Sequence, residues 1–181
     1  HPEKSPEIIP EMEADLQRLE QISRRFSSMG LKSDFENIDL SDRIERIVNY
    51  LNLRLPSLGK TVELVNDIQP GVMINANGSL LAWSIENIIR NGIDAIERDD
   101  GKVSVTLRKK KDGIKIRIID NGKGIPKKDW KNIFRPGFST KHAGWGLGLS
   151  LSIRIVEEIH GGKLQVLNSS KELGTTLEIS L

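Results

Sequence analysis

The sequence has 181 residues and contains no cysteine, which excludes disulfides and thiolate metal sites. Aromatic residues are scarce at 4%, so the core is expected to be modest and built from Ile, Leu and Val. No apolar run approaches the roughly 18 to 20 residues that a membrane-spanning helix needs, and no signal peptide is visible.

Neither sign of charge is in excess. The 27 Lys and Arg residues nearly balance the 25 Asp and Glu residues, for a net charge of +2. This balance gives no reason to expect nucleic acid or a membrane surface as a partner. The missing cysteines fit a cytoplasmic location, either for a free protein or for the cytoplasmic part of a membrane sensor.

The first 30 residues differ in pattern from the rest of the chain. Apolar residues recur there at steps of three and four along an otherwise charged stretch: Ile9, Met12, Leu16, Leu19, Ile22 and Phe26. Such a narrow seam predicts an amphipathic helix packed in a bundle or coiled coil. The alternative is a helix folded back on its own domain. With no initiator Met, the chain is expected to be a fragment.

Helical and strand patterns alternate irregularly after a linker. A helix capped by Asp39 or Ser41 precedes two short strands, and Asn77 is the expected N-cap of a helix that ends near Arg98. A hairpin, a Gly- and Pro-rich stretch over residues 121–145, a further helix and a final hairpin follow. Because this order lacks a repeating βαβ rhythm, it predicts an α+β two-layer sandwich, with helices on one face of a mixed, mostly antiparallel sheet.

These patterns divide the chain into three parts. Residues 1–30 are predicted to form the helical element, residues 31–38 the linker and residues 39–181 one domain. Two further patterns in the chain lack the residue spacing that a functional motif requires. "LGKT" at residues 58–61 is similar to the end of a P-loop but lacks its first glycine. The histidines lack metal-ligand spacing, and His160 is expected near a helix C-terminus, facing the helix dipole.

The stretch "NIIRNGIDAI" carries two asparagines four residues apart within a helix of strong apolar spacing. Asn87, Asn91 and Asp94 form a polar stripe, separate from the core stripe. A solvated helix face would explain such a stripe. However, two asparagines and Gly92 are costly choices inside a helix. Amide oxygens at this spacing can instead hold a hydrated hard cation.

Two glycine-rich stretches follow this helix. In "IIDNGKGIP", Asp120 ends a strand and can accept a hydrogen bond from an exocyclic amine, while Gly122 and Gly124 let a flat ring approach the backbone. The alternative is an ordinary turn after a strand. In "GWGLGL" (144–149), backbone N–H groups at a helix start can face phosphate oxygens. Lys141 just before it is either a phosphate counter-charge or a solvated lysine.

The order of these stretches resembles the ATP-binding domain of sensor histidine kinases, within the Bergerat-fold ATPases. "NIIRNGIDA" is similar to that family's asparagine box, and "DNGKGI" to its first glycine box. "IFRPGFSTK" is similar to the lid segment, "GWGLGLSLS" to the second glycine box, and "GTTLEISL" to the closing strand pair. The resemblance covers residues 37–181 with all boxes in order.

The resemblance implies that the ligand is ATP with Mg²⁺. It implies that Asn91 coordinates magnesium and that Asn87 assists it or contacts phosphate. Asp120 would bind the adenine amino group, and Thr175 would support the adenine end through water. The glycines flanking the base would be Gly122 and Gly124. The phosphates would be held by Lys141 and by the backbone of Gly144, Gly146, Leu147 and Gly148.

Asn87 stands where the related ATPases and serine kinases carry a glutamate that activates water or an acceptor hydroxyl. Glu86 lies about 100° away around the helix and does not replace it. The resemblance therefore implies little hydrolysis, and transfer of the γ-phosphoryl group to a histidine in two-component signalling. A Bergerat-fold ATPase, a protein serine kinase, or a nucleotide-binding module that only contacts partners remain alternatives.

In the family, the acceptor histidine lies on a dimeric helical hairpin. The resemblance thus implies a homodimer through this hairpin and a response regulator receiver domain as partners. "HPEKSP" mimics the histidine motif at His1, but Pro2 replaces the acidic residue and only one helix follows. Residues 1–30 are therefore expected to supply the second hairpin helix, and the chain to lack its acceptor histidine. No residue of the chain is assigned as catalytic.

Overall fold

The computed structural model describes residues 35–56, 61–139 and 146–181. The helix predicted within residues 1–30 lies outside them, as does most of the predicted linker. Residues 36–181 form one compact unit. It begins with a strand, β1 (Glu36–Asp39), which pairs antiparallel with β3 (Met73–Ala76). The end of the segment predicted as linker is thus part of the folded unit.

Three α-helices are present in the described residues: α1 (Leu40–Arg54), α2 (Gly78–Asp94) and α3 (Gly148–Arg154), which continues as one π-helical turn (Ile155–Ile159). The Asp39 side chain accepts the first free N–H of α1, from Asp42, at 3.1 Å. The Asn77 side chain accepts the N–H of Leu80 at 2.9 Å. Both predicted caps, Asp39 for the first helix and Asn77 for the second, are confirmed.

The predicted end of the second helix near Arg98 is wrong, because α2 ends at Asp94. The backbone N–H of Ala95 still closes the last turn on the Asn91 carbonyl at 3.0 Å. The Ala95 carbonyl, however, accepts the N–H of Lys123 from the glycine-rich loop at 3.0 Å. Lys123 is far from Ala95 in the sequence, so a local sequence pattern does not predict this contact.

The main sheet has five strands in the order β2-β4-β5-β7-β6. They span Val62–Ile68 (β2), Gly101–Lys110 (β4), Gly113–Asp120 (β5), Lys163–Ser170 (β6) and Gly174–Ser180 (β7). The β2–β4 pair is parallel and the other neighbours are antiparallel. The predicted mixed, mostly antiparallel sheet is confirmed.

One face of the sheet builds the core. Along β4, buried Val103, Val105 and Leu107 alternate with more exposed polar residues, as expected for a sheet with one buried face. They belong to one cluster with the fully buried α2 stripe, which includes Leu81 and Ile85. The predicted two-layer α+β architecture is therefore confirmed, with α2 placed directly over the strand that ends at Asp120.

His160 ties two helices together. One ring nitrogen, Nδ1, lies 2.7 Å from the Ile155 carbonyl, and the other, Nε2, accepts the backbone N–H of Asn77 at 3.1 Å. Both ring nitrogens of His160 are therefore engaged by backbone groups, one from each segment. The histidine joins the C-terminal end of the π-helical turn to the N-cap of α2. Within the described ranges, no helix combines the length and apolar character that crossing a membrane requires.

Candidate functional site

Asp120 lies at the end of β5 and is only 7% exposed. Its Oδ1 atom accepts two backbone N–H groups, from Gly122 at 2.9 Å and from Thr175 at 3.2 Å. Among the described residues, no donor reaches its other oxygen, Oδ2. Because Oδ2 has no donor among them and is not fully buried, it remains accessible and can accept a hydrogen bond from a ligand.

Burial raises the pKa of the Asp120 carboxyl above its ordinary value of 3.8. The backbone N–H groups of Gly122 and Thr175 act in the opposite direction, because they stabilise the carboxylate. Desolvation is the larger effect. The end of β5 therefore presents the Asp120 carboxyl as an acceptor that has fewer hydrogen-bond donors than it can use.

Glycines let the backbone pack closely around this carboxylate. A Cβ atom at Gly122 would lie 2.5 Å from the Ala95 carbonyl oxygen at the end of α2. Gly124 has a φ of +71°, and a Cβ there would collide with the Ser170 carbonyl. Any side chain at these positions would displace the loop from α2 or from β6. The two predicted glycines thus line one end of the candidate site.

Gly92 belongs to the same cluster. A Cβ atom there would lie 3.4 Å from the Asp120 Cβ and 3.6 Å from a methyl group of Val103. The mid-helix glycine of the "NIIRNGIDAI" stretch therefore faces the strand-end aspartate across the core. A methyl group at these distances would make ordinary van der Waals contacts, so close packing does not by itself require glycine at this position.

Thr175 supports Asp120 through its backbone N–H. Its hydroxyl lies 2.8 Å from the Ser169 hydroxyl, and Ser169 Oγ accepts the N–H of Ile125 at 2.7 Å. This chain of contacts closes the glycine-rich loop onto β6 and β7. The predicted contact of Thr175 with the base through water stays a prediction. Ser169 was not singled out in the sequence, where it is an ordinary polar strand residue.

Asn87 connects the two helices of the site. Its Nδ2 atom donates to the hydroxyl of Ser152, a fully buried residue of α3, at 3.0 Å. A Cβ at Gly148 would lie 2.5 Å from Asn87 Oδ1, so the amide also packs against the first residue of α3. Asn87 therefore holds the second glycine-rich stretch against α2. Ser152 was missed because its only signal is a serine within an apolar helix pattern.

Asn91 lies one turn beyond Asn87 on the same helix and is half-buried, whereas Asp94 is exposed. Within the part of the chain that the structure describes, no cluster of three or more His, Cys, Asp or Glu side chains can hold a metal ion. A cation here would depend on amide oxygens, ligand oxygens and water, which is a donor set that suits Mg²⁺. Glu86 forms an ion pair with Arg90 at 2.8 Å and is held along the helix.

The start of α3 is partly described. Gly146 has a φ of +64°, and its carbonyl accepts the N–H of Gly137 from the lid segment at 3.1 Å. Leu147 precedes α3, and its carbonyl accepts the N–H of Leu151 at 3.0 Å. The side chains of Phe134 and Phe138 pack against the core. Lys141 and Gly144 lie outside the described residues, so their predicted phosphate contacts stay predictions.

Comparison with known proteins agrees with this arrangement. Residues 77–181 match the family described as histidine kinase-, DNA gyrase B- and HSP90-like ATPases. Sporulation kinase B of Bacillus subtilis (strain 168) is 28% identical over 174 residues, which cover 93% of this chain and 39% of that protein. The chain thus spans well under half the length of this relative.

Solved structures of histidine kinases share the fold. The mycobacterial sensor histidine kinase MprB is 26% identical with a TM-score of 0.70, over 81% of this chain and 96% of that one. Histidine kinase ThkA in complex with the response regulator protein TrrA has a TM-score of 0.73 at 22% identity, over 99% of this chain and 52% of that one. Because ThkA is only 22% identical to this chain, their similarity concerns the fold alone.

Proposed function

Since the chain belongs to the family of histidine kinase-, DNA gyrase B- and HSP90-like ATPases, we propose that it is the ATP-binding catalytic part of a histidine kinase of two-component signal transduction. It binds ATP and positions the γ-phosphoryl group for transfer to a histidine on a dimerisation domain. The observation that carries this proposal is Asp120, a buried strand-end carboxylate with one oxygen lacking a donor among the described residues.

The adenine end fits the residues around Asp120. The exocyclic amine of adenine is a donor, and Asp120 Oδ2 is the acceptor that it would meet. The glycine-lined backbone at Gly122 and Gly124 allows a flat ring to lie close to the loop. Thr175 keeps the carboxylate in place through its N–H. Together these residues distinguish an amino group from a carbonyl on the purine ring.

The phosphate end is proposed to lie along α2 and the second glycine-rich stretch. Asn91 would hold magnesium through its amide oxygen, with phosphate oxygens and water completing the ligands. When bound, magnesium would neutralise charge on the transferring phosphates. Asn87 fixes α3 against α2 and can contribute to phosphate contact from that position. The phosphate-binding groups are proposed to be Lys141 and the backbone of Gly144, Gly146, Leu147 and Gly148.

Phosphoryl transfer is favoured over hydrolysis by the residues on α2. Asn87 is an amide, which cannot take a proton at neutral pH, and its Nδ2 is bonded to Ser152. The carboxylate of Glu86 is paired with Arg90. Neither residue can serve as a base for water. The chain would therefore act by positioning ATP and by charge stabilisation.

The remaining expectations concern the whole protein. We propose residues 1–30 as part of a dimerising helical hairpin, a short linker after them, and the ATP-binding domain to residue 181. A response regulator receiver domain is the proposed partner, supported by the likeness to ThkA, which was solved with such a protein. A cytoplasmic location is also proposed, and the lack of cysteine in the sequence fits it.

The test is calorimetric titration of the chain with ATP in the presence and absence of magnesium. Asp120→Ala is expected to weaken ATP binding at least about 100-fold, because it removes a buried polar contact. Asn91→Ala is expected to weaken magnesium-dependent binding about tenfold. The matched control is Asp112→Ala, which removes a carboxylate from the exposed turn between β4 and β5 and should leave binding unchanged.

Two results would contradict the proposal. Absence of magnesium-dependent ATP binding would leave only a module that contacts partners. Steady ATP turnover, or transfer of labelled phosphate to serine, would favour the ATPase or serine kinase alternative. Transfer from labelled ATP to a histidine-bearing dimerisation domain, as an acid-labile product, is the expected outcome.

A further inference from the structure

A second concave surface lies at the edge of the sheet and shares Phe134 and Arg135 with the lid segment. It is a cavity of about 660 Å³ between the loop 127–135, helix α3 and edge strand β6. None of the residues proposed to bind ATP lines it. We call this surface the β6 groove. Its volume falls within the range of pockets that bind ligands, which is roughly 300–1,000 Å³.

The floor of the β6 groove is apolar. Trp130 and Phe134 from the loop face Ile153 of α3 and Val166 of β6, and all four are half-buried. The indole N–H of Trp130 donates to the Ile125 carbonyl at 3.0 Å, which fixes the ring at the groove wall. A fixed aromatic wall next to half-exposed aliphatic side chains is suited to a large apolar anchor of a partner.

The rim of the groove is cationic. Lys127, Lys128, Lys131 and Arg135 line it and are exposed. None of them takes part in an ion pair within the described residues. The whole chain carries a net charge of only +2, so without these four residues it would carry −2. Unpaired positive charge is thus concentrated beside an apolar floor.

The strand edge does not itself select the partner. The N–H of Leu164, a groove residue on β6, is already bonded to the Glu157 carboxylate at 3.2 Å. Strand addition at that point would have to displace this bond. Recognition therefore depends on side chains, through apolar contact at the floor and charge at the rim.

We propose that the β6 groove docks an acidic segment of a partner protein, with one large apolar side chain between carboxylates. The apolar anchor fills the floor, and the carboxylates meet the four cations of the rim. Nucleic acid fits less well, because all four cations come from one short loop beside an apolar floor and do not form a stripe along the surface. The inference is independent of the nucleotide chemistry proposed above.

The test uses a fluorescently labelled 12-residue peptide with a single Phe near its centre and Asp or Glu elsewhere, titrated against the chain by anisotropy. The double variant Lys128→Glu/Lys131→Glu is expected to weaken binding at least about tenfold. The matched control is Lys109→Glu/Lys110→Glu, which reverses two exposed lysines of β4 that lie outside the groove. This control is expected to change affinity less than about twofold.

Further arms separate the alternatives. A peptide with Asn and Gln in place of the acids should bind at least about tenfold more weakly, and rising salt should weaken the acidic peptide. Mg-ATP affinity should be the same in wild type and in the groove variant, which keeps this test apart from that of the ATP site. Three results would overturn the proposal. They are equal losses of peptide affinity in both double variants, no binding of the acidic peptide, and binding of an oligonucleotide or of anionic vesicles as tight as that of the peptide.

Discussion

At the scale of single residues, the proposed role of Asp120 in selecting the base is tested by Asp120→Asn, which does not change side-chain shape. The carbonyl oxygen of the new amide can still accept the N–H groups of Gly122 and Thr175. Its nitrogen then occupies the Oδ2 position and faces the adenine amine, donor against donor. We expect ATP affinity to fall at least about 100-fold, as for a site left with unpaired buried polar groups.

The same variant should reverse the preference for the purine. Inosine triphosphate carries a carbonyl in place of the amine, and this carbonyl can accept a hydrogen bond from the side-chain amide that Asp120→Asn introduces. The ratio of ATP to inosine triphosphate affinity, measured by calorimetry, should therefore invert relative to wild type. The variant should keep the unfolding transition of a folded protein. If it then loses affinity for both nucleotides equally, Asp120 does not contact the base.

The difference in stability between Asp120→Asn and wild type should depend on pH. Burial raises the pKa of the Asp120 carboxyl in the folded chain above its ordinary value of 3.8. In the buried site, the protonated carboxyl is favoured over the carboxylate. The contribution of Asp120 to wild-type stability is therefore fully present below that ordinary value and is lost as the pH rises through the raised pKa. The variant does not titrate, so its unfolding free energy relative to wild type should increase across this window. Urea unfolding from about pH 3 to pH 7 measures this difference in unfolding free energy. A difference that does not change with pH would show that burial does not raise the pKa of Asp120.

Gly92 offers a graded test of close packing. An alanine methyl would lie 3.4 Å from the Asp120 Cβ, which is an ordinary contact. Gly92→Ala is therefore expected to raise unfolding free energy by about 0.5–1 kcal/mol through helix propensity, with ATP binding retained. Gly92→Val extends further towards Asp120 and Val103 and should cost about 1–3 kcal/mol. Chemical denaturation measures both; equal stability of the two variants would mean that the space is larger than the contacts indicate.

At the scale of elements, α2 and α3 meet through the Asn87–Ser152 hydrogen bond. Ser152→Ala leaves the Asn87 amide without this partner in a part-buried position and should cost about 1–3 kcal/mol in unfolding free energy. Because the bond holds the second glycine-rich stretch, affinity for ATP should fall more than affinity for adenosine. Combining Ser152→Ala with Asn87→Ala in a double-mutant cycle should give a coupling energy. Additive losses would show that the two side chains act independently.

Local signals predicted the elements well, and tertiary contacts account for what they missed. Asp39 and Asn77 cap their helices because a side-chain acceptor three residues before a free N–H is a local relation. The end of α2 depends on Lys123, which bonds to Ala95 from another part of the chain. The motif residues Asp120, Gly122 and Thr175 lie together in the structure, and their contacts with the base stay predictions. Ser152 and Ser169 carry no periodic or motif signal.

At the scale of the whole molecule, the candidate site is assembled from elements that are distant in sequence. Asp120 ends β5, Thr175 lies on the paired strand β7, and Gly92 belongs to the helix above them. His160 links the N-cap of that helix to the end of the π-helical turn. A ligand that contacts these elements together binds only the folded chain, so binding and global stability are coupled.

This coupling predicts a thermal shift that reports on the site as a unit. At an ATP concentration about 100 times the dissociation constant, with magnesium, binding contributes about 2.7 kcal/mol to stability. For a domain of this size, that corresponds to a rise in Tm of roughly 5–10 °C. Asp120→Ala, with affinity at least about 100-fold weaker, should reduce the contribution to about 0.4 kcal/mol or less and the rise to about 1–2 °C or less. Asp112→Ala on the exposed hairpin turn should keep the full rise. An equal rise in both variants would place the nucleotide elsewhere on the chain, and the assignment of Asp120 would then be wrong.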